Sequence, residues 1–399
     1  MVPNRKGRNG MTRRGFIGAV TASAVAASLH AGPKRGMSVD GVALPEWAVD
    51  IILSGAARYK AWRGDDGTVA FPLITDVHSH KPGFSVNPPD WNDPKSHILF
   101  QRAIAHVTDC DFLANLGDLD FDVNILGPAP DWKEVQSVID GFVEVYKKEP
   151  LPVLFSMGNH DHAKGRYSSK QFGDTFNRGI TLRNGHKMCL SECGTWGYYD
   201  IPTKKFRAVL LNTSDEGYAG YSRTQLQFFA DALKSVPEGW HVVELQHIQV
   251  PGLMGHWRRD LRDNPLSRET IFMQIVDDFA HSRGNLVQGF HKPPIKGEYD
   301  GIKWDFAESR ASFVGGFFGH SHLEAHMQIA GVNWVTRPGY GTVPADCPCM
   351  GARDPKCVWE FKRSKSMMID LVAVKPAKRI VHVFRFGYGG PESELEYAY

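Results

Sequence analysis

Short apolar runs without alternation recur along the chain, and each one ends abruptly in polar residues. Val69-Ala-Phe-Pro-Leu-Ile-Thr75, Phe112-Leu-Ala-Asn-Leu116, Leu151 to Met157, Phe206 to Leu211, Trp240 to Leu245 and Ser312 to Phe318 are of this kind. A strand covered on both faces has no polar face to show, so these runs predict buried strands. Between them the apolar period lengthens. Ile98, Phe100, Ile104 and Val107 predict a helix over 97–108. Val135, Val138, Ile139, Phe142, Val143 and Tyr146 lie at i, i+3, i+4, i+7 spacing and predict a helix from Trp132 to Lys147, whose stripe is core. Ser222 is a good N-cap for a helix to about Leu233, built on Leu226, Phe229 and Leu233. Further helices are expected over 45–63 and 269–280, and a hairpin over 367–386 around Lys375-Pro376. Residues 162–205 and 250–268 have no clear period and read as irregular. Strand–helix alternation through most of the chain predicts α/β layers.

The first thirty residues differ from the rest. Arg5, Lys6 and Arg8 precede Thr12-Arg13-Arg14-Gly15-Phe16-Ile17 and an alanine-rich apolar run to Leu29. A charged start, a moderate apolar stretch and small residues near Ala27 to Ala31 make an export signal, and Arg13-Arg14 gives it a twin-arginine character. The run is short for a span of about 20 residues, so no stable membrane anchor is expected. The domain expectation is a signal over 1–31, a polar linker over 32–44, and one domain over 45–399 with inserted loops at about 162–205 and 250–310. An exported, periplasmic or secreted location follows, and it permits disulfides among the 6 cysteines, although no spacing matches a thiolate zinc site. A net charge of +2 in 399 residues argues against a dedicated nucleic-acid binder.

Candidate chemistry sits just past the predicted strands. Asp76 and His78, then Asp118, then Asn159-His160-Asp161, then His247, then His320 and His322 each follow an apolar run. Side-by-side strands bring such ends together at one sheet edge. The donors are carboxylates, an amide and imidazoles with no thiol, which suits manganese, iron or zinc. Within the Gly158-Asn159-His160-Asp161 turn, the glycine permits an abrupt change of direction. Asn159 can bind a metal, His160 can move a proton, and Asp161 can hold the imidazole in one orientation.

In this order, Asp-x-His, Gly-Asp, Gly-Asn-His-Asp, a lone His and Gly-His-x-His resemble the calcineurin-like metallophosphoesterase superfamily over roughly residues 70–325. The resemblance implies a β-sandwich flanked by helices, in α/β/β/α layers, with two divalent or trivalent metal ions at its edge. Asp76, His78 and His322 would hold one ion, Asn159, His247 and His320 the other, and Asp118 would bridge them. A hydroxide held between the ions would attack phosphorus in line, and His160, oriented by Asp161, would protonate the leaving group. The substrate would be a phosphorylated small molecule, nucleotide or lipid, as a monoester or a diester. His291-Lys-Pro-Pro is an alternative for the middle histidine. Phe121 stands where many members have an acidic residue, with Asp120 and Asp122 beside it. His80 and His162 are candidate phosphate contacts, as are Arg258, Arg259, Lys292, Lys296 and Arg337 with Trp257 and Trp304. Two rival readings are a catalytically inactive binding protein on the same scaffold and, through His78-Ser79-His80, an amidohydrolase-type barrel.

Overall fold

The computed structural model describes residues 36–64, 67–77, 94–119, 131–215, 220–250, 268–287, 299–321, 324–337, 368–387 and 389–399. The predicted signal segment, His78, His80, His291, His322, the residues 120–122 and the basic stretches around 257–259 and 292–296 lie outside them. So do Cys347, Cys349 and Cys357. From Met37 onward the chain is one unit.

A small hairpin of β1 (Ser38–Val39) and β2 (Val42–Ala43) leads into helix α1 (Glu46–Arg63). Next come β3 (Val69–Ile74), α2 (Pro94–Thr108), β4 (Leu113–Asn115), α3 (Trp132–Tyr146) and β5 (Val153–Phe155). Helix α4 (Ser169–Gly173) runs into a π-helix over Asp174–Leu182, followed by β6 (Met188–Leu190), β7 (Gly197–Ile201) and β8 (Phe206–Leu210). Helix α5 (Arg223–Lys234), β9 (His241–Leu245) and α6 (Arg268–Ala280) come after that. The rest is strand: β10 (Gly284–Leu286), β11 (Lys303–Asp305), β12 (Ser312–Phe318), β13 (Ala325–Ile329), β14 (Val332–Thr336), β15 (Met368–Lys375), β16 (Ile380–Gly387) and β17 (Leu395–Ala398).

Two sheets organise these strands. The first has 6 strands in the order β17-β16-β15-β3-β4-β5, and the second has 7 in the order β13-β14-β12-β9-β8-β7-β6. In β3, Val69, Phe71 and Leu73 point into a core shared with β8, β9 and β12 of the second sheet. Ala70 and Ile74, on the other face, pack with residues of α1, α2 and α3. Val209 and Val242 of the second sheet likewise join Leu226, Phe229 and Leu233 of α5 and Phe272, Ile275 and Val276 of α6. Period-2 alternation between two apolar cores explains why these strands read as unbroken apolar runs. The layers are helix, sheet, sheet, helix, as expected. Two open sheets also dispose of the barrel reading, which needs one closed sheet.

Local chemistry explains the helix ends. Asp131 caps α3 by accepting from Lys133 N at 2.8 Å, and Ser222 caps α5 by accepting from Gln225 N at 3.2 Å. Full burial of Leu226, Phe229 and Leu233 gives α5 roughly 1.5–3 kcal/mol per side chain.

Three stretches differ from the sequence reading. The polar linker over 32–44 contains the β1–β2 hairpin, whose Val39 and Leu44 are buried against α1 and α2. Asp40 of its turn pairs with the buried Arg102 of α2, which also donates to Glu149 Oε2 at 2.7 Å. Residues 162–205, read as irregular, hold α4, the π-helix and the strands β6 and β7 that extend the second sheet. The π-helix protects the open edge of β5. Asn177 takes the place of a neighbouring strand there, accepting from Phe155 N at 3.0 Å and donating to Phe155 O at 3.0 Å. Finally, β13 and β14 form a hairpin absent from the sequence expectation, in which half-buried Ala325, Met327 and Ile329 alternate with exposed His326 and Gln328.

Candidate metal centre

Strand register brings the polar ends together. Ile74, Asn115 and Phe155 stand level across parallel β3, β4 and β5. Asp76, Asp118 and Asn159 follow them by two, three and four residues. In the second sheet Leu245 stands level with Phe317, and His247 and His320 follow by two and three residues. The same edge of both sheets therefore carries all five side chains. Asp118, His247 and His320 each offer a ligand atom within 4.8 Å of the others.

His247 is the hinge of the cluster. It is fully buried, and its Nδ1 lies 2.7 Å from the carbonyl of Leu116 in the other sheet. A carbonyl only accepts, so Nδ1 carries the hydrogen and Nε2 faces the site. That Nε2 lies 3.1 Å from Asp118 Oδ2 and 3.1 Å from Asn159 Oδ1. Burial by itself lowers the imidazole pKa, but the charge and hydrogen bond of Asp118, helped by Asp76 and Asp161, raise it to about 9. The cluster thus draws a positive charge to the point between Asp118 and Asn159. The His320 ring stands edge-on to it at 5.1 Å.

The remaining groups are fixed by backbone contacts. Asp76 accepts from His320 N at 2.8 and 3.1 Å and from Thr75 Oγ1 at 2.6 Å. Asp118 Oδ1 accepts from His160 N at 2.9 Å. Asp161, expected to orient His160, accepts at Oδ2 from Gly158 N at 2.8 Å and Asp118 N at 3.0 Å, and so ties two strand-end turns together. The His160 imidazole is 12% exposed, with Nε2 3.9 Å from Asp118 Oδ2. Asp76, Asp118 and His320 all have left-handed backbone, at φ 52°, 51° and 64°. Such a conformation costs an L-residue about 1–2 kcal/mol, less for an aspartate, whose short side chain can hydrogen-bond locally.

Gly158 differs from the expectation. Its backbone is not left-handed, and what it supplies is space. A Cβ there would lie 2.9 Å from Asp118 Cγ, and one on Gly319 would lie 2.5 Å from Asp76 Oδ2. The glycine of Gly-Asn lets a carboxylate from the neighbouring strand lie against the turn, and that of Gly-His lets in one from the other sheet.

The donors fit a metal on two counts: the set is oxygen and imidazole, and its atoms converge. Other candidates are placed elsewhere. His162 donates from Nε2 to the Ser214 carbonyl, 3.2 Å away, and burial keeps its pKa below the usual value. Trp304 is buried with Nε1 donating to Asp278 Oδ2 at 2.9 Å, and Arg337 is held by Asp370, so neither is a substrate contact. Cys110, Cys189 and Cys193 are free thiols. Thr75 and the Leu116 carbonyl escaped sequence reasoning; Thr75 adjoins a motif, but a backbone carbonyl leaves no trace in a sequence.

Comparison with protein families and with curated proteins finds no match. Among solved structures, a predicted phosphoesterase from Streptococcus pneumoniae is 9% identical, with 83% of this chain and 98% of that chain covered, at a TM-score of 0.29. A putative 5′-nucleotidase from Staphylococcus aureus is 13% identical over 77% of this chain and 51% of its own, at 0.38. Phosphopantetheinyl hydrolase from Mycobacterium tuberculosis is 12% identical over 68% and 90%, at 0.30. At this level of similarity the reading of the site rests on its own residues. Those residues form a buried oxygen-and-imidazole cluster at the common edge of two sheets.

Proposed function

We propose that this chain is a metal-dependent phosphoric-ester hydrolase, exported through its twin-arginine-type signal. The observation that supports it most is the convergence of Asp118, His247 and His320, from two sheets, on one point beside Asp76 and Asn159. Two metal ions, with His78 and His322 completing the ligand set, would supply positive charge for the phosphoryl oxygens and an activated water. Manganese, iron and zinc all suit the donors.

The chain's own residues do the rest. Asp118 sits where its two oxygens can be shared, one already held by His160 N. Leu116 O fixes the His247 tautomer, leaving Nε2 for the metal. Asn159 presents Nδ2, which has no hydrogen-bond partner among the described residues, to an oxygen of the substrate. His160, partly buried at the rim of the cluster, gives a proton to the leaving alkoxide. Asp161 keeps the His160 turn in place through two backbone amides.

The test is to purify the protein with manganese, measure bound metal, and compare model phosphate mono- and diesters. Hydrolysis of either that disappears on chelation and returns with metal is expected. Full metal loading without hydrolysis would instead support the binding-protein reading. Retention of full activity by a folded Asp118→Ala variant would sink the metal mechanism.

A further inference from the structure

The turn that carries His320 is gripped from two sides. Toward the site, His320 N donates to both oxygens of Asp76. Away from it, Thr336 Oγ1 donates to Gly319 O at 3.2 Å and lies 2.9 Å from Ser321 Oγ. The next residue, Arg337, is buried and donates from Nε to Asp370 Oδ2 at 2.6 Å and from Nη2 to Asp370 Oδ1 at 3.1 Å. Arg385 grips the same carboxylate from Nε at 2.7 Å and from Nη2 at 3.2 Å. Its Nη2 also reaches Glu324 Oε1 at 2.5 Å, with Arg337 Nη2 3.7 Å from that oxygen. Two guanidiniums and two carboxylates balance in charge, so the network is neutral despite its burial.

Its location gives it a task. Asp370 and Arg385 belong to the β15–β16 hairpin of the first sheet, whereas Arg337 and Glu324 flank the β13–β14 hairpin of the second. Glu324 is only four residues beyond His320, at the far end of the same loop. Metal donors must be held to within a few tenths of an ångström, and loops do not hold themselves that closely.

We propose that Glu324, Arg385, Asp370 and Arg337 form a positioning network that sets the His320 loop of the second sheet against Asp76 of the first. The proposal rests on the metal-centre reading above. None of the four residues touches the reacting atoms. They act through His320.

Glu324 is the residue to test, because its side chain is 37% exposed and its removal leaves the buried Arg337–Asp370–Arg385 triad in place. Manganese affinity and stoichiometry are measured by calorimetry and elemental analysis on full-length protein, with the melting temperature of the metal-free form alongside. Glu324→Ala is expected to bind manganese about 10–100-fold more weakly with a metal-free melting temperature near that of the parent. Glu324→Asp, which keeps the charge, recovers part of the affinity. Glu324→Gln, which keeps the shape, carries the test if alanine unfolds the protein. Parental affinity in Glu324→Ala or Glu324→Gln overturns the network and leaves the metal centre standing. A parent protein that binds none of manganese, iron and zinc overturns the metal centre, and this proposal with it.

Discussion

Gly158 and Asp118 share one space. The Asp118 carboxylate from the end of β4 lies where a side chain on Gly158, at the end of β5, would have to go, with Cγ 2.9 Å from the position of a Cβ. Gly158→Ala therefore pushes the central carboxylate of the cluster away from His247. Expected are a stability loss of about 1–3 kcal/mol in denaturant unfolding and markedly weaker metal binding. Unchanged manganese affinity in that variant would show that Asp118 can move without consequence.

His160 is assigned to the leaving group, and that role has a signature. With a poor alkoxide leaving group, His160→Asn should lower kcat by about 10²–10⁴-fold. With a nitrophenolate leaving group, which needs no proton, the loss should be far smaller. Equal losses with both substrates would move His160 from proton donor to metal or phosphate contact.

Glu244 offers a test of stability that does not involve the site. It lies in β9 between Val243 and Leu245 of the inter-sheet core, so its side chain faces the helical layer of α5 and α6. It is fully buried, and neither carboxyl oxygen has a hydrogen-bond partner among the described residues. Burial pushes its pKa well above the usual carboxylate value of 4.5. The folded protein then holds a proton that the unfolded chain releases above about pH 4.5. From there stability falls by about 1.4 kcal/mol per pH unit until the folded carboxyl itself ionises. Glu244→Met should raise the unfolding free energy at pH 8, and the gain should shrink toward pH 4. A gain independent of pH would mean that Glu244 is ionised and paired.

Asp370 shows the opposite sign. Burial alone would raise its pKa, but the guanidiniums of Arg337 and Arg385 outweigh it and hold the carboxyl at about 2. A depressed folded value gives stability that is present above the unfolded value of 3.8 and lost as the pH falls through about 2. The contribution is about 2–3 kcal/mol. Asp370→Asn should cost about 3–5 kcal/mol at pH 6, because two buried guanidiniums lose their partner, and the deficit should narrow toward pH 2. Urea unfolding at the two pH values measures it.

The β5 edge gives a last prediction. Asn177 satisfies Phe155 N and O and also donates to Gly194 O at 2.9 Å. Asn177→Ala leaves those backbone groups buried and unpaired, one strand-end from Asn159. Roughly 2–4 kcal/mol of stability should be lost, and the Phe155 amide should exchange faster. Unchanged exchange there would show that another group covers the edge.

Much of this protein was legible because it depends on short-range pattern. The strands at 69–74, 206–210, 241–245 and 312–318 are mostly apolar on both faces, Arg207 and Glu244 apart, since each lies between two cores, and such runs stand out in a sequence. Helices α3 and α5 announce themselves by a stripe and a cap. The polar residues after each strand could be picked as candidates because parallel strands share an edge. What tertiary structure alone decided is everything that joins distant segments. The register that levels Ile74 with Asn115 and Phe155 determines that Asp76, Asp118 and Asn159 meet. Stacking of the two sheets puts the Leu116 carbonyl on His247 and so chooses its free nitrogen. The π-helix of Asn177 and β13 carry only short apolar periods, Phe176 and Ile180 in the one and Ala325, Met327 and Ile329 in the other, and only their contacts show what those faces pack against. Arg337 is the sharpest case: on its own it reads as a cation waiting for a phosphate, yet Asp370, from the other sheet, already holds it. A residue's type states what it can bind, but the partner is chosen by packing, and packing brings together parts of the chain that the sequence keeps far apart.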